Sequence, residues 1–164
     1  MGTDESSGNS RPASRLIDGL GLDGNLFNEE GCAHTSGCGL TANEWFSLEL
    51  PVSRKITRIQ IANRVDCTSA ECKQRANNVR ITIGPSKAYD PNEPLCLPEI
   101  PALVWEPGLQ DYSCTGDLHE GRFVKISRAG CLNLCEVQVF TAQSTGGKEV
   151  VNSLSINNML WLDI

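Results

Sequence analysis

The chain has 164 residues, a formal net charge of -6 at pH 7, and 40% hydrophobic but only 5% aromatic residues. That length suits one domain able to bury a core of its own. The acidic balance argues against nucleic acid, which selects basic faces. The apolar runs fall far short of the roughly 18 residues a membrane-spanning helix needs, which argues against membrane insertion.

Residues 1 to 14 are rich in Ser, Gly, Asn and Pro and read as a flexible lead or an edge strand. Met1 to Ser10 carries neither a basic n-region nor an apolar h-region. We therefore expect no signal peptide here and read the chain as a mature segment. Residues 15 to 140 hold all eight cysteines and form the expected domain. Within it, Ile56 to Ile61, Val79 to Ile83 and Phe123 to Ile126 are short and β-branched, and they read as strands. No stretch sustains the 3.6-residue apolar period of an amphipathic helix, so the fold class expected is all-β.

Two polar loops, Gly31 to Asn43 and Asp66 to Asn78, flank the strand from Ile56 to Ala62, and each contains two cysteines. Loops of this kind meet at one end of a sandwich, where binding sites gather. Pro85 to Pro107 contains six of the eight prolines and is expected to be irregular. Residues 141 to 164 open on a linker-like ThrAlaGlnSerThrGlyGlyLys run and read as a linker and C-terminal extension. That extension is either an extra strand docked on the sandwich or the start of a neighbouring module.

Eight cysteines without the paired CxxC spacing of a zinc ribbon point to disulfides in an oxidising compartment, and so to an extracellular, secreted protein. Catalytic motifs do not emerge. Glu99, Glu106 and Asp111 lack the spacing of a carboxylate pair, and no GxSxG, HExxH or phosphate-cradling glycine loop is present. His119 sits in a polar stretch and reads as solvated, while Trp45 and Phe46 read as packing residues.

Five phrases in order carry a family resemblance: Leu16 to Gly19, Cys32 to Ser36, Asn43 to Leu50, Asn63 to Cys67, and Leu134 to Val139. Together, over about Ser6 to Phe140, the chain resembles the F-type lectin (fucolectin) domain. The resemblance implies a disulfide-stapled, eight-stranded jelly-roll β-sandwich of the galactose-binding-domain-like kind related to discoidin domains. It also implies recognition of terminal L-fucose on fucosylated glycans. His34, Arg64 and Arg75 would hold the sugar, Asp66 would orient the arginines, and Phe27 with the Cys67 and Cys72 loop would wall its methyl group. Guanidinium donors converging on hydroxyl oxygens, beside a directional imidazole, suit a neutral sugar.

The chain departs from the family pattern in two places. An insertion around Cys38 to Leu40 lengthens the stretch between His34 and Arg64. Cys67 and Cys72, adjacent in the family, are split, which pushes the second basic residue downstream; Arg75 matches best and Lys73 is its rival.

By the same resemblance Cys32 pairs with Cys135, Cys96 with Cys114 and Cys67 with Cys72, leaving Cys38 and Cys131 for a fourth bridge. A calcium ion is implied as well. Asp18 and Glu136 would supply carboxylates, Arg15, Leu20 and Gly31 backbone carbonyls, and Asp23 and Asn25 further oxygens, since Leu20 stands where the family has asparagine. Oxygen-only, irregular shells of this kind suit calcium.

Alternatives rest on the residues alone. His34 reads equally as a surface-loop histidine, Arg64 and Arg75 as strand-end charges paired with Asp66 or Glu71, Asp18 as a turn-capping side chain, and Glu136 as a strand-surface charge. The corresponding second function is a discoidin-like protein-interaction or structural module without sugar binding. A single sugar site of this type is weak and gains from repetition in a homo-oligomer or with neighbouring domains.

Overall fold

The computed structural model describes residues 2–5, 11–24, 31–36, 43–116, 119–145 and 148–153. Its strands are β1 (Gly2–Glu5), β2 (Ala33–His34), β3 (Asn43–Asn63), β4 (Asn77–Gly84), β5 (Ile100–Ala102), β6 (Leu109–Ser113), β7 (Glu120–Ala129), β8 (Asn133–Thr145) and β9 (Lys148–Ser153). A 3-10 turn at Ala13–Ile17 and one short helix, α1 (Ala70–Gln74), complete the described elements.

β3 organises the sandwich. Its first half pairs antiparallel with β1 and β7, and its second half with β6 and β8. An irregularity between Glu49 and Arg54, around Pro51, whose ring removes a ladder donor, bends the strand, and the change of partner follows between Lys55, paired with β7, and Ile56, paired with β8. One strand thereby turns the corner between two layers. β4 and β5 continue the first layer beyond β7, and β2 extends the second beyond β8.

Between the layers lie the inward positions: Phe46, Leu48 and Leu50, then Ile59 and Ile61, from β3, with Val79, Ile81 and Ile83 from β4. Val124 and Ile126 of β7 and Leu134, Val137 and Val139 of β8 close the core. The two-residue alternation of these β-branched positions fixes register, because a one-residue slip would turn the set toward water.

The proline-rich segment is irregular, as its composition predicts, yet it is tied down. Pro94 accepts from Ile83 N–H at 3.1 Å, Cys96 donates to the Ile81 carbonyl at 2.8 Å, and Cys96 is bonded to Cys114. Glu93 reaches inward to Lys125 at 2.5 Å, with side-chain exposures of 7% and 0%.

Several expectations change. Of the two readings of the first residues, lead or edge strand, Gly2–Glu5 takes the edge strand, paired with β3. β8 runs through Thr145, and β9 folds back on it from Lys148, so strand pairing continues where the composition suggested a linker. Ser and Thr in that run are compatible with β structure once a partner strand is supplied. The loop after Asp66 contains α1, too short to show a helical period; Ser69 caps it, its hydroxyl accepting from Cys72 N–H at 3.3 Å. His119 is buried and not solvated, with one ring nitrogen 2.5 Å from the Thr115 carbonyl oxygen.

Candidate functional site

His34 closes β2 opposite Asn133 of β8, its backbone N–H donating to the Arg11 carbonyl at 3.0 Å. Arg64 follows the last residue of β3, and Arg75 caps the C-terminus of α1. Three elements distant in sequence thus deliver the three predicted side chains. Arg75 Nη1 lies 3.1 Å from His34 Nε2. A guanidinium only donates, so Nε2 presents its lone pair and the imidazole is neutral with its proton on Nδ1. Burial lowers the His34 pKa below its ordinary 6.5, and the positive charges of Arg75, Arg11 and Arg64 act in the same direction, against a backbone hydrogen bond at Thr35.

Arg64 forks onto Asp66, with Nε at 2.7 Å and Nη2 at 3.3 Å, and the two side chains are only 18% and 13% exposed. This pair fixes the guanidinium plane while leaving three of its five N–H groups for another acceptor. Asp66 thus pairs with Arg64, whereas Arg75 is hydrogen-bonded to His34. Arg75 also adjoins Arg128, which donates to the carbonyls of Asn77 and Cys131 and whose own pKa is lowered by burial and then by Arg75. An acidic chain therefore concentrates Arg11, Arg64 and Arg75 around one imidazole, with Arg128 beside Arg75.

Arg11 is the member that the sequence reading missed. It lies in the stretch assigned to a lead, and nothing in its neighbours distinguishes it from a solvated charge. Cys67 and Cys72 form a half-exposed disulfide bracketing the start of α1, while Phe27 lies outside the described residues.

The bridges Cys32–Cys135, Cys67–Cys72 and Cys96–Cys114 match the implied pairing. Cys131 is disulfide-bonded, and Cys38 lies outside the described residues.

The residues implied for calcium lie around the turn that follows the 3-10 element. Asp18 ends the 3-10 turn and accepts from Leu20 N–H at 2.9 Å, while Gly19 N–H donates to Glu136 at 3.0 Å. Glu136 is buried, and burial first, with Asp18 adding repulsion, pushes its pKa up to about 7 against the pull of the Gly19 hydrogen bond. A Cβ on Gly21 would lie 2.1 Å from the Gly31 carbonyl oxygen and 2.2 Å from that of Cys135. Two neighbouring carboxylates and two carbonyls closing on a glycine form an oxygen-only, electron-rich set that fits a hard cation.

Arg15 is half-buried on the 3-10 turn, Leu20 and Asp23 are exposed, and Asn25 lies outside the described residues. Among the described residues no three His, Cys, Asp or Glu side chains cluster to hold a metal, so any ion here would depend on backbone oxygens. The same turn braces the arginine cluster. Val65, next to Arg64, donates to the Gly24 carbonyl at 2.9 Å, and Gly24 abuts the Asn63 carbonyl.

No protein-family model matches the chain. Among curated proteins it is 33% identical to Fucolectin-6 of Anguilla japonica over 129 residues, covering 77% of this chain and 62% of that protein. It is 32% identical to Fucolectin of Anguilla anguilla over 130 residues, 77% of this chain and 75% of that protein. Among solved structures, the F-lectin (fucolectin) from striped bass (Morone saxatilis) serum superposes with a TM-score of 0.69 at 28% identity, covering 90% of this chain and 48% of that one.

The two-layer architecture, with its loops gathered around a basic cluster, defines a disulfide-stapled β-sandwich of the discoidin-like class. Within that class the chain belongs to the F-type lectin (fucolectin) family. It spans less than two thirds of Fucolectin-6 and about half of the striped bass chain.

Proposed function

We propose that this chain is an extracellular lectin module that holds terminal L-fucose of fucosylated glycans at His34, Arg64 and Arg75, with a structural calcium ion behind them. The observation that carries the reading is the hydrogen-bonded placement of Arg75 on a neutral His34, with Arg64 fixed by Asp66 and its charge felt at the same imidazole. Sugar hydroxyls and the ring oxygen are acceptors, and the remaining guanidinium N–H groups are donors in fixed directions. Because the arginines are already oriented, little side-chain entropy is lost on binding. The half-exposed Cys67–Cys72 bridge offers an apolar surface for the methyl group.

Asp18 and Glu136 would hold the calcium with the carbonyls of Gly31 and Cys135. The ion would supply positive charge to a crowded acidic pocket and rigidity to the turn after Asp18. That turn packs on Gly31, three residues before His34, and on Val65, one residue after Arg64. Binding and not catalysis is the role proposed, in agreement with relatives that are named as lectins. Extracellular residence is supported by the disulfides. Among the described residues no helix is long and apolar enough to cross a membrane.

Calorimetry with L-fucose in calcium, comparing the parent with Arg64→Ala after both are shown to be folded and oxidised, tests the reading. We expect millimolar or tighter binding by the parent and its loss in the variant. In the competing reading, a protein-interaction module without sugar binding, the Arg64–Asp66 pair would be a structural contact only. Failure of the parent to bind fucose or any fucosylated glycan would overturn the fucose reading.

A further inference from the structure

β8 lies between β2 and β3, and its first residue, Asn133, passes between two of the side chains assigned to the sugar. On one side Asn133 pairs directly with His34 of β2. On the other, Leu134 pairs with Asn63, the last residue of β3, so Arg64 leaves that strand alongside Asn133. Leu132 and Leu134 both belong to the core. Asn133, between them, faces the opposite way, on the face it shares with its cross-strand partner His34.

Asn133 is only 2% exposed, yet among the described residues neither its Nδ2 nor its Oδ1 has a hydrogen-bond partner. Burying both ends of an amide unpaired costs stability that an apolar residue at this position would not. The neighbours show no such defect: Thr35 N–H donates to the Leu132 carbonyl at 3.1 Å, and the Thr35 hydroxyl accepts from Leu132 N–H at 3.0 Å. The site around the amide is also rich in donors and poor in acceptors. The arginines only donate, Nε2 of His34 receives Arg75, and Asp66 is engaged by Arg64, whereas every sugar hydroxyl has a proton of its own to place.

We propose that Asn133 is a further sugar contact, its Oδ1 accepting from one hydroxyl of the fucose and its Nδ2 donating to the neighbouring hydroxyl. This rests on the fucose reading of the arginine cluster, and it names the group that selects for two adjacent hydroxyls. An amide carries a donor and an acceptor side by side, the complement of a vicinal diol. With so little of the residue exposed, the amide is reached when the side chains around it shift on binding, a common response of binding surfaces. The cost of burying the unpaired amide is offset only in the complex.

The test is calorimetry with methyl α-L-fucoside in calcium on the full chain, comparing the parent with Asn133→Ala and Asn133→Leu. A thermal melt and the His34 ring NMR signals are recorded for each. Alanine adds no bulk and leucine leaves no cavity, so one of the two reports on the amide without a packing defect. We expect both variants to lose about 5- to 30-fold in affinity, the worth of one to two hydrogen bonds, while at least one melts no lower than the parent and His34 keeps its signals. Affinity equal to the parent's in both variants would overturn the contact. So would a loss accompanied by a lower Tm in both and displaced His34 signals, since Asn133 would then act through the fold. No binding by the parent would overturn the fucose reading, and the contact with it.

Discussion

His34 keeps a neutral imidazole among cations, and this gives the site a pH sense whose sign follows from the structure. Burial, then Arg75, hold its pKa below 6.5, so as pH falls the unfolded chain takes up this proton before the folded one does. The associated stability is complete above pH 6.5 and is lost as pH falls through the window beneath it. Protonation also removes the Nε2 lone pair that receives Arg75 and adds charge beside Arg11 and Arg64. Fucose affinity should therefore be level from pH 8 down to 6.5 and fall only below that, approaching about tenfold per pH unit once His34 is protonated in the fold. Calorimetry across that range checks it; a loss of affinity that sets in above pH 6.5 would show that a group other than His34 governs it. The family phrases made His34, Arg64 and Asp66 legible. Arg11 was not, because its role is created by a contact with β2 and by no pattern around it.

At the scale of elements, the short helix α1 and the strapped loop over β7 make different demands. α1 is too short to persist alone, since nucleating a helix costs more than one turn returns. It relies on the Ser69 cap and on the Cys67–Cys72 bridge, which closes a separation of 5 residues. Replacing both cysteines by serine should cost at most about 2 kcal/mol of stability in the chain-entropy model, yet weaken fucose binding by loosening Arg75. Removing Cys32–Cys135, with its separation of 103 residues, should cost about 4 to 5 kcal/mol. Denaturant melts paired with calorimetry separate the two effects.

The loop from Pro85 is anchored through the buried Glu93–Lys125 pair, which the Thr82 hydroxyl supports at 3.3 Å from Glu93. Glu93→Ala strands a buried ammonium and should cost about 3 to 5 kcal/mol, whereas Glu93→Leu with Lys125→Met should be far milder. Urea midpoints for the two variants decide this; equal losses would show that the pair contributes through packing alone. Neither α1 nor this pair could be read from sequence. α1 spans little more than one helical turn, and Lys125 looks like any outward strand lysine until the loop covers it.

For the whole molecule, the proposed calcium ion would be the variable that joins the two centres. The turn from Asp18 to Gly24 touches the segment before His34 and the one after Arg64, so ordering it should stabilise the fold and the sugar site together. Calcium at about 100 times its Kd should add roughly 2.7 kcal/mol, a rise of about 5 to 10 °C in Tm for a domain of this size. Asp18→Asn with Glu136→Gln should abolish that rise. Differential scanning calorimetry with calcium and with a chelator is the measurement, and a Tm indifferent to calcium in the parent would remove the ion from this site.

Composition, the β-branched runs, the cysteine count and the five ordered phrases determined the all-β class, the disulfide staple and the family, because strand alternation and family motifs are local properties of a chain. The identity of the site as a place is another matter. Arg11, His34, Arg64, Arg75 and Arg128 come from five separate segments, and only the pairing of β2 with β8 and the corner turned by β3 bring them together. Burial then decides their chemistry: it keeps His34 neutral, raises Glu136, and commits two of the N–H groups of Arg64 to Asp66. Desolvation and charge proximity depend on the whole enclosure around a group, and no stretch of sequence contains that enclosure.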